Sequence, residues 1–246
     1  MTDRLSSDEP EVSLDARTRA RLEALVTRYA LAHTALAQFE ALLVKLASDP
    51  HAPSTVVVPS EAVDVHLADS LVGLDLAVLR EARAIADLGA GAGFPGLPLA
   101  AALPAAEVIL VESNARKCAF IEAAAELAAI PNAAAVAERA EGWSAGIGTR
   151  DVVTARALAP LGVIAEYAAP LLREGGHLVA WKGRRDPEEE RAAARAAAQL
   201  GLELQEIRPV APYDGAEHRH LHVLCKIAPT PPRFPRRPGM ARKRPL

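Results

Sequence analysis

Between residues 14 and 48 the apolar positions Leu22, Leu25, Val26, Tyr29, Ala32, Leu36, Phe39, Leu43 and Leu46 recur mostly at three- and four-residue steps. That is the stripe of an amphipathic helix, long enough to predict two helices, and Asp49-Pro50-His51-Ala52-Pro53 breaks it. A further helix is predicted over 60–79, with Ser60 as N-cap following Pro59. Beyond Glu81 short apolar runs alternate with helical stretches. Runs 84–88, 108–112, 134–137, 151–155 and 177–181 read as strands, and 97–103, 115–129, 161–172 and 187–200 read as helices. Runs 202–207 and 221–226 complete seven strands with no obvious helix between them, which predicts that one edge strand runs antiparallel. Strands separated by helices of this length mean βαβ units, hence an α/β, doubly wound, mainly parallel sheet.

Composition narrows what can fill that frame. The chain has 246 residues, half of them apolar, but 53 are alanine and only 4% are aromatic, so the core must be built from Ala, Leu and Val. No apolar run approaches the roughly 18 residues a membrane span needs. The start, Met1-Thr2-Asp3-Arg4 with Asp8, Glu9 and Glu11 after it, has no apolar secretion core, so the expected compartment is the cytoplasm, with no membrane partner. Two cysteines, Cys118 and Cys225, exclude a disulfide framework and a cysteine metal site. The formal charge of −3 hides an asymmetry: residues 233–246 carry Arg233, Arg236, Arg237, Arg242, Lys243 and Arg244 and no acid. A basic tail on an acidic body suits contact with a polyanion at one place. Its prolines favour extended structure over helix. The expected organisation is a loose segment over 1–13, a helical extension over 14–80, the α/β domain over 81–228 and the basic tail over 229–246.

The strongest local signal is Asp87-Leu88-Gly89-Ala90-Gly91-Ala92-Gly93-Phe94-Pro95-Gly96, between an apolar strand and a helical run. Glycines there permit a tight turn and close approach of backbone to a ligand, and the following helix start offers free N–H groups. Glu112, nineteen residues after Gly93 at the end of the second strand, can accept both hydroxyls of an adenosine ribose. Gly91 to Gly96 also satisfies the dinucleotide pattern G-x-G-x-x-G, while Asp87-x-Gly89-x-Gly91-x-Gly93 suits S-adenosylmethionine (AdoMet). Spacing alone allows either cofactor, or a tight turn with no ligand.

The longer text separates them. DLGAGAGFPGLPLA over 87–100 is followed by VESNARKCAFIEAAAEL over 111–127; HLADSL over 66–71 precedes it, and ARALAPL over 155–161, AWKG over 180–183 and the closing PRFPRRPGMARKRPL follow. Together these resemble the glucose-inhibited division B family, the bacterial 16S ribosomal RNA guanine-N7 methyltransferases, over about three quarters of the chain. The resemblance implies a class I AdoMet-dependent methyltransferase fold with an N-terminal helical extension, acting on small-subunit rRNA within the ribosomal subunit. It implies cofactor contacts by Gly89 and Phe94, by Ala140 and Glu141 at the adenine, and by Arg156 at the mouth of the site. Asp87, Gly91, Gly93 and Glu112 then take the general roles of holding the methionine end, shaping the loop and binding the ribose. The chain departs from the family in its early helices, where it reads Leu42-Leu43-Val44-Lys45-Leu46-Ala47-Ser48, and in Val65 before His66. An AdoMet enzyme for a small metabolite and a Rossmann oxidoreductase are the alternatives.

Guanine N7 already presents a lone pair, so its methylation needs no thiol nucleophile and no general base. The enzyme must place N7 about 3 Å from the methyl carbon on the right line. Cys118 and Cys225 therefore read as small buried hydrophobes. Arg156, then Lys182, are the candidates for orienting the base through O6. His218, His220 and His222 alternate as a metal trio would, but the chemistry asks for no metal. Arg219 and the tail cations Arg233, Arg236, Arg237, Arg242, Lys243 and Arg244 are the expected contacts to RNA phosphates. Trp143 and Trp181 read as packing residues.

Overall fold

A computed structural model of the protein describes residues 13–246. The loose segment expected over 1–13 lies, apart from Ser13, outside the described residues.

Helices α1 (Ala16–Arg28) and α2 (Thr34–Ser48) form where the apolar stripe places them. Asp15 caps α1, its carboxylate accepting from the Thr18 amide at 2.7 Å. The segment expected as one helix over 60–79 is instead a chain of short pieces: α3 (Pro59–Ala62), a π-helical turn Val63–Ala68, α4 (Asp69–Leu71), a 3-10 turn Val72–Asp75 and α5 (Ala77–Arg80). Val58, not Ser60, occupies the N-cap position, because Pro59 lacks an N–H and fits the first helical position. Buried Val63, His66, Leu67, Asp69, Ser70, Leu71, Val72 and Leu74 face several neighbours at once, which no single 3.6-residue stripe can satisfy.

The sheet contains β1 (Ala84–Leu88), β2 (Glu107–Val111), β3 (Ala133–Val136), β4 (Arg150–Arg156), β5 (Leu172–Lys182), β6 (Leu202–Val210) and β7 (Arg219–Lys226), in the order β3-β2-β1-β4-β5-β7-β6. Strands β1 to β5 pair in parallel, and β7 is antiparallel to both β5 and β6. The antiparallel strand is thus one position in from the edge, correcting the expectation of an antiparallel edge strand. Helix α9 (Pro187–Leu200) carries the chain past the place beside β5, and β7 folds back into it as the second strand of a hairpin.

Side chains alternate between two cores. Ile85, Val108, Leu110, Val152 and Val179 join one with α1, α2, α6 (Gly96–Ala102) and α7 (Ala115–Leu127). Ala86, Leu88, Val111, Val153, Ala155, Leu178 and Ala180 join the other with α8 (Leu161–Ala168) and α9. The abundant alanine lets α9 sit close: Ala193, Ala196 and Ala197 are buried, and a Cβ on Gly162 of α8 would lie 3.5 Å from that of Ala196. The doubly wound α/β fold is therefore as the alternating pattern requires. The tail is not extended throughout. It returns over the second core, buries Phe234 and Ala241, and ends in α10 (Met240–Lys243). Among the described residues no helix is long and apolar enough to cross a membrane.

Candidate active site

Strand β1 delivers the chain to the glycine turn. Gly89, Gly91 and Gly93 all have positive φ, at 66°, 60° and 94°. A Cβ on Gly89 would lie 2.4 Å from Leu158 Cδ1 and one on Gly93 would lie 2.5 Å from Leu97 Cδ1, so the turn needs glycine for both angle and space. Asp87 sits beneath this turn with no exposure at all. Its Oδ2 accepts from the Gly96 amide and its Oδ1 from the Thr154 hydroxyl, each at 2.9 Å. Burial pushes its carboxyl up to about 7 against the pull of those donors. Asp87 therefore braces the start of α6 from below and lines neither of the clefts described next.

Two clefts open at the carboxyl ends of the strands, where open α/β sheets bind ligands. The first, of 360 Å³, is lined by Gly89, Glu112, Ala140, Glu141, Tyr167 and Arg242 among others. Glu112 lies on its floor, its Oε2 accepting from the Gly91 amide at 3.2 Å and its Oε1 from the Asn114 amide at 2.9 Å. Oε2 keeps a free lone pair, and Oε1 has as its second donor only the Ser113 hydroxyl at 3.5 Å, a long contact that a ribose hydroxyl can replace. The 3-10 turn Ala140–Gly142 forms the far wall. A Cβ on Gly91 would meet only the Gly89 carbonyl, at 3.9 Å, so backbone lies open there. The donor set, a carboxylate pair of acceptors beside bare backbone, fits a nucleoside cofactor.

The second cleft, of 450 Å³, is lined by Val56, His66, Asp69, Arg156, Trp181, Lys182 and Arg219 among others, and shares Ala157 with the first. Arg156 donates to Asp69 Oδ2 at 2.8 Å and to the Val65 carbonyl at 2.9 Å. Its guanidinium also lies 5.9 Å from the Phe94 ring centroid. Phe94 stacks on His66, with centroids 4.5 Å apart and planes within 10°. His66 Nε2 lies 3.0 Å from the Val56 carbonyl and its Nδ1 3.4 Å from an Arg156 nitrogen, a pattern that places the neutral ring's proton on Nε2. Burial, and then the Arg156 charge, push His66 down to about 4. Lys182 Nζ is paired with Glu189 at 2.6 Å.

Phe94 thus lies with His66 and Arg156 beside the second cleft rather than in the lining of the first. Gly93 likewise packs inward, against Leu97 and Ile121. The tail divides its cations. Arg236 is bidentate on buried Glu166, and Arg242 donates to the Leu158 carbonyl at 2.7 Å from the wall of the first cleft. The Gly239 amide donates to Glu141 Oε1 at 2.8 Å. Arg236 is half-buried in its pair with Glu166, whereas Arg233, Arg237, Arg242, Lys243 and Arg244 are exposed. Cys118 donates to the Glu112 carbonyl at 3.2 Å, and burial raises both cysteine thiols, which suits packing. Trp181 donates to the Asp69 carbonyl at 2.7 Å. His220 and His222 bond Gly183 and Glu190, and the described residues contain no group of three or more side chains placed to hold a metal. Asp69 and Tyr167 were not anticipated; Asp69 stands inside HLADSL, which was legible as a motif but carried no spacing that assigns it a task.

A solved 16S rRNA (adenine(1408)-N(1))-methyltransferase variant from Catenulisporales acidiphilia is similar over 62% of this chain and 89% of its own, with TM-score 0.51 and 18% identity. Fibrillarin of Aeropyrum pernix, solved with natively bound S-adenosyl-L-methionine, is similar over 64% of this chain and 72% of its own, with TM-score 0.51 and 17% identity. Both share the fold. In sequence, the ribosomal RNA small subunit methyltransferase G of Desulfitobacterium hafniense is 38% identical over 78% of this chain and 81% of its own length. That of Chloroflexus aggregans is 45% identical over 65% and 68%, and that of Deinococcus deserti 39% identical over 86% and 88%. Residues 33–221 match the family described as rRNA small subunit methyltransferase G, GidB. With most of the chain inside that match, the protein belongs to the rRNA small subunit methyltransferase G family.

Proposed function

We propose that this protein transfers the methyl group of AdoMet to N7 of a guanine in 16S rRNA, within the small ribosomal subunit. The observation that carries this reading is the meeting of two unlike clefts at Ala157, one floored by a carboxylate and bare backbone, the other lined by Arg156, Lys182 and Arg219. Glu112 would hold the ribose, Ala140 and Glu141 the adenine, and the turn at Gly89 and Gly91 the methionine end. AdoMet supplies a methyl carbon on a sulfonium, an electrophile that a ring-nitrogen lone pair can take without prior loss of a proton.

The chain's own residues then have two duties. Arg156 orients the base by donating toward O6, since a donor placed on N7 would occupy the lone pair that must react. Arg219, Arg233, Arg237, Arg242, Lys243 and Arg244 neutralise phosphates around an unpaired target, because a base within a helix could not enter the cleft. Lys182, tied to Glu189, sets the rim. The rRNA substrate agrees with the names of the relatives above.

Borohydride–aniline cleavage of 16S rRNA tests the reading, since it cuts the chain at N7-methylguanine. Cells with the protein should show one scission that disappears when the gene is removed and returns with it. An unchanged cleavage pattern would overturn the proposal.

A further inference from the structure

Asp69 is buried at 7% exposure in the second cleft, yet its two oxygens are treated differently. Oδ2 is taken by Arg156, while Oδ1 is occluded and has no hydrogen-bond partner. The nearest cation, Arg219 Nε, stands 3.7 Å away, beyond hydrogen-bond length, on a side chain 41% exposed. An unpaired buried carboxylate oxygen is costly, and its retention in a cleft points to a donor that arrives with a ligand. The backbone on both sides is fixed: Trp181 donates to the Asp69 carbonyl and Ser70 Oγ to that of His66. The backbone is thus fixed from behind, and the exposed Arg219 side chain stands over Oδ1.

Resting on the guanine reading above, we propose that Asp69 is the residue that selects guanine, its Oδ1 accepting the base N1–H while the adjoining Arg156 donates to O6. The pair matches guanine in order: an acceptor, O6, beside a donor, N1–H. Adenine presents the reverse, setting an amino donor against the Arg156 donors and a ring lone pair against Asp69 Oδ1, so that Oδ1 stays without a donor. O6 lies between N1 and N7 on the purine, so a base gripped through N1 and O6 keeps the N7 lone pair free. Arg219, in covering Oδ1, is the side chain that must move when the base enters, and its exposed position lets it turn to a phosphate.

The test uses small subunits reconstituted around 16S rRNA carrying guanosine or 1-methylguanosine at the mapped site, the second lacking the N1 donor. The wild-type enzyme should methylate guanosine about 10- to 100-fold faster, the range expected for a hydrogen bond to a charged acceptor. Asp69→Ala, which removes the acceptor and makes room for the extra methyl, should shrink that preference to a few-fold while calorimetric AdoMet affinity stays within about twofold. Asp69→Asn is the conservative second variant and should also lose most of the preference. Equal rates on the two bases by the wild type, or an unchanged preference in both variants, would overturn the role of Asp69 with the guanine reading intact. No N7-methylguanosine from the wild type on either base would overturn both.

Discussion

In the first cleft Glu112 is held by backbone, with the Gly91 and Asn114 amides on its two oxygens, whereas Asp69 in the neighbouring cleft is held by side chains, with Arg156 hydrogen-bonded to one oxygen and only the exposed Arg219, 3.7 Å away, near the other. The first arrangement is complete before any ligand arrives and depends on residues within about one strand-turn-helix unit. The second joins side chains 87 positions apart and leaves a donor position unfilled. Preorganised backbone suits a cofactor that is the same at every turnover. Side chains set against each other suit a base that must be told from three others.

Removing Arg156 should separate the clefts most sharply. Arg156→Ala leaves Asp69 as an unpaired buried carboxylate, which costs about 3 kcal/mol of stability, and misplaces the base, lowering single-turnover methyl transfer ~100-fold. AdoMet binding by calorimetry should be little changed; a comparable loss in both would show the clefts to be one unit. Glu112→Ala should do the converse, weakening AdoMet by about 1.5–3 kcal/mol with RNA affinity intact. Unaltered AdoMet affinity would remove Glu112 from the ribose.

Smaller effects sharpen the picture at its margins. Deleting the tail would disturb the second core, through Phe234 and Ala241, so charge removal is the better probe. Arg237→Gln, Lys243→Gln and Arg244→Gln together should flatten the slope of log affinity against log salt by about 2 if each meets one single-stranded phosphate. Asp87 tests the turn itself. Its carboxyl ordinarily titrates at 3.8 and in the fold at about 7, so the native state holds the proton more tightly. The stability this contributes is full at low pH and declines as pH rises from about 4 through about 7. Asp87→Asn should abolish that decline in urea midpoints measured across the window, and a variant that keeps the wild-type slope would place the titration elsewhere.

The glycine turn and the cleft beside it were largely legible in the amino-acid sequence because their parts are local: the turn glycines and Glu112 follow consecutive strands, and local φ demands leave a compositional trace. The α/β alternation was legible for the same reason. The base cleft was not. Arg156 was anticipated, but its partner Asp69 lies in a segment whose helix is broken into π, α and 3-10 turns by burial on several sides, which periodicity cannot encode. The position of β7 was hidden because parallel and antiparallel strands share a period of two. The docking of the tail was hidden because Arg236 seeks one buried glutamate, Glu166, 70 residues away in a segment whose composition reads as solvated.

The decisive measurement is a crystal structure of the protein with bound AdoMet. The ribose hydroxyls should lie on Glu112, the methionine end beside Gly89, and the sulfonium methyl should be directed past Ala157 toward Arg156. A donor bound elsewhere, or one whose methyl faces away from the Arg156 cleft, would contradict this arrangement.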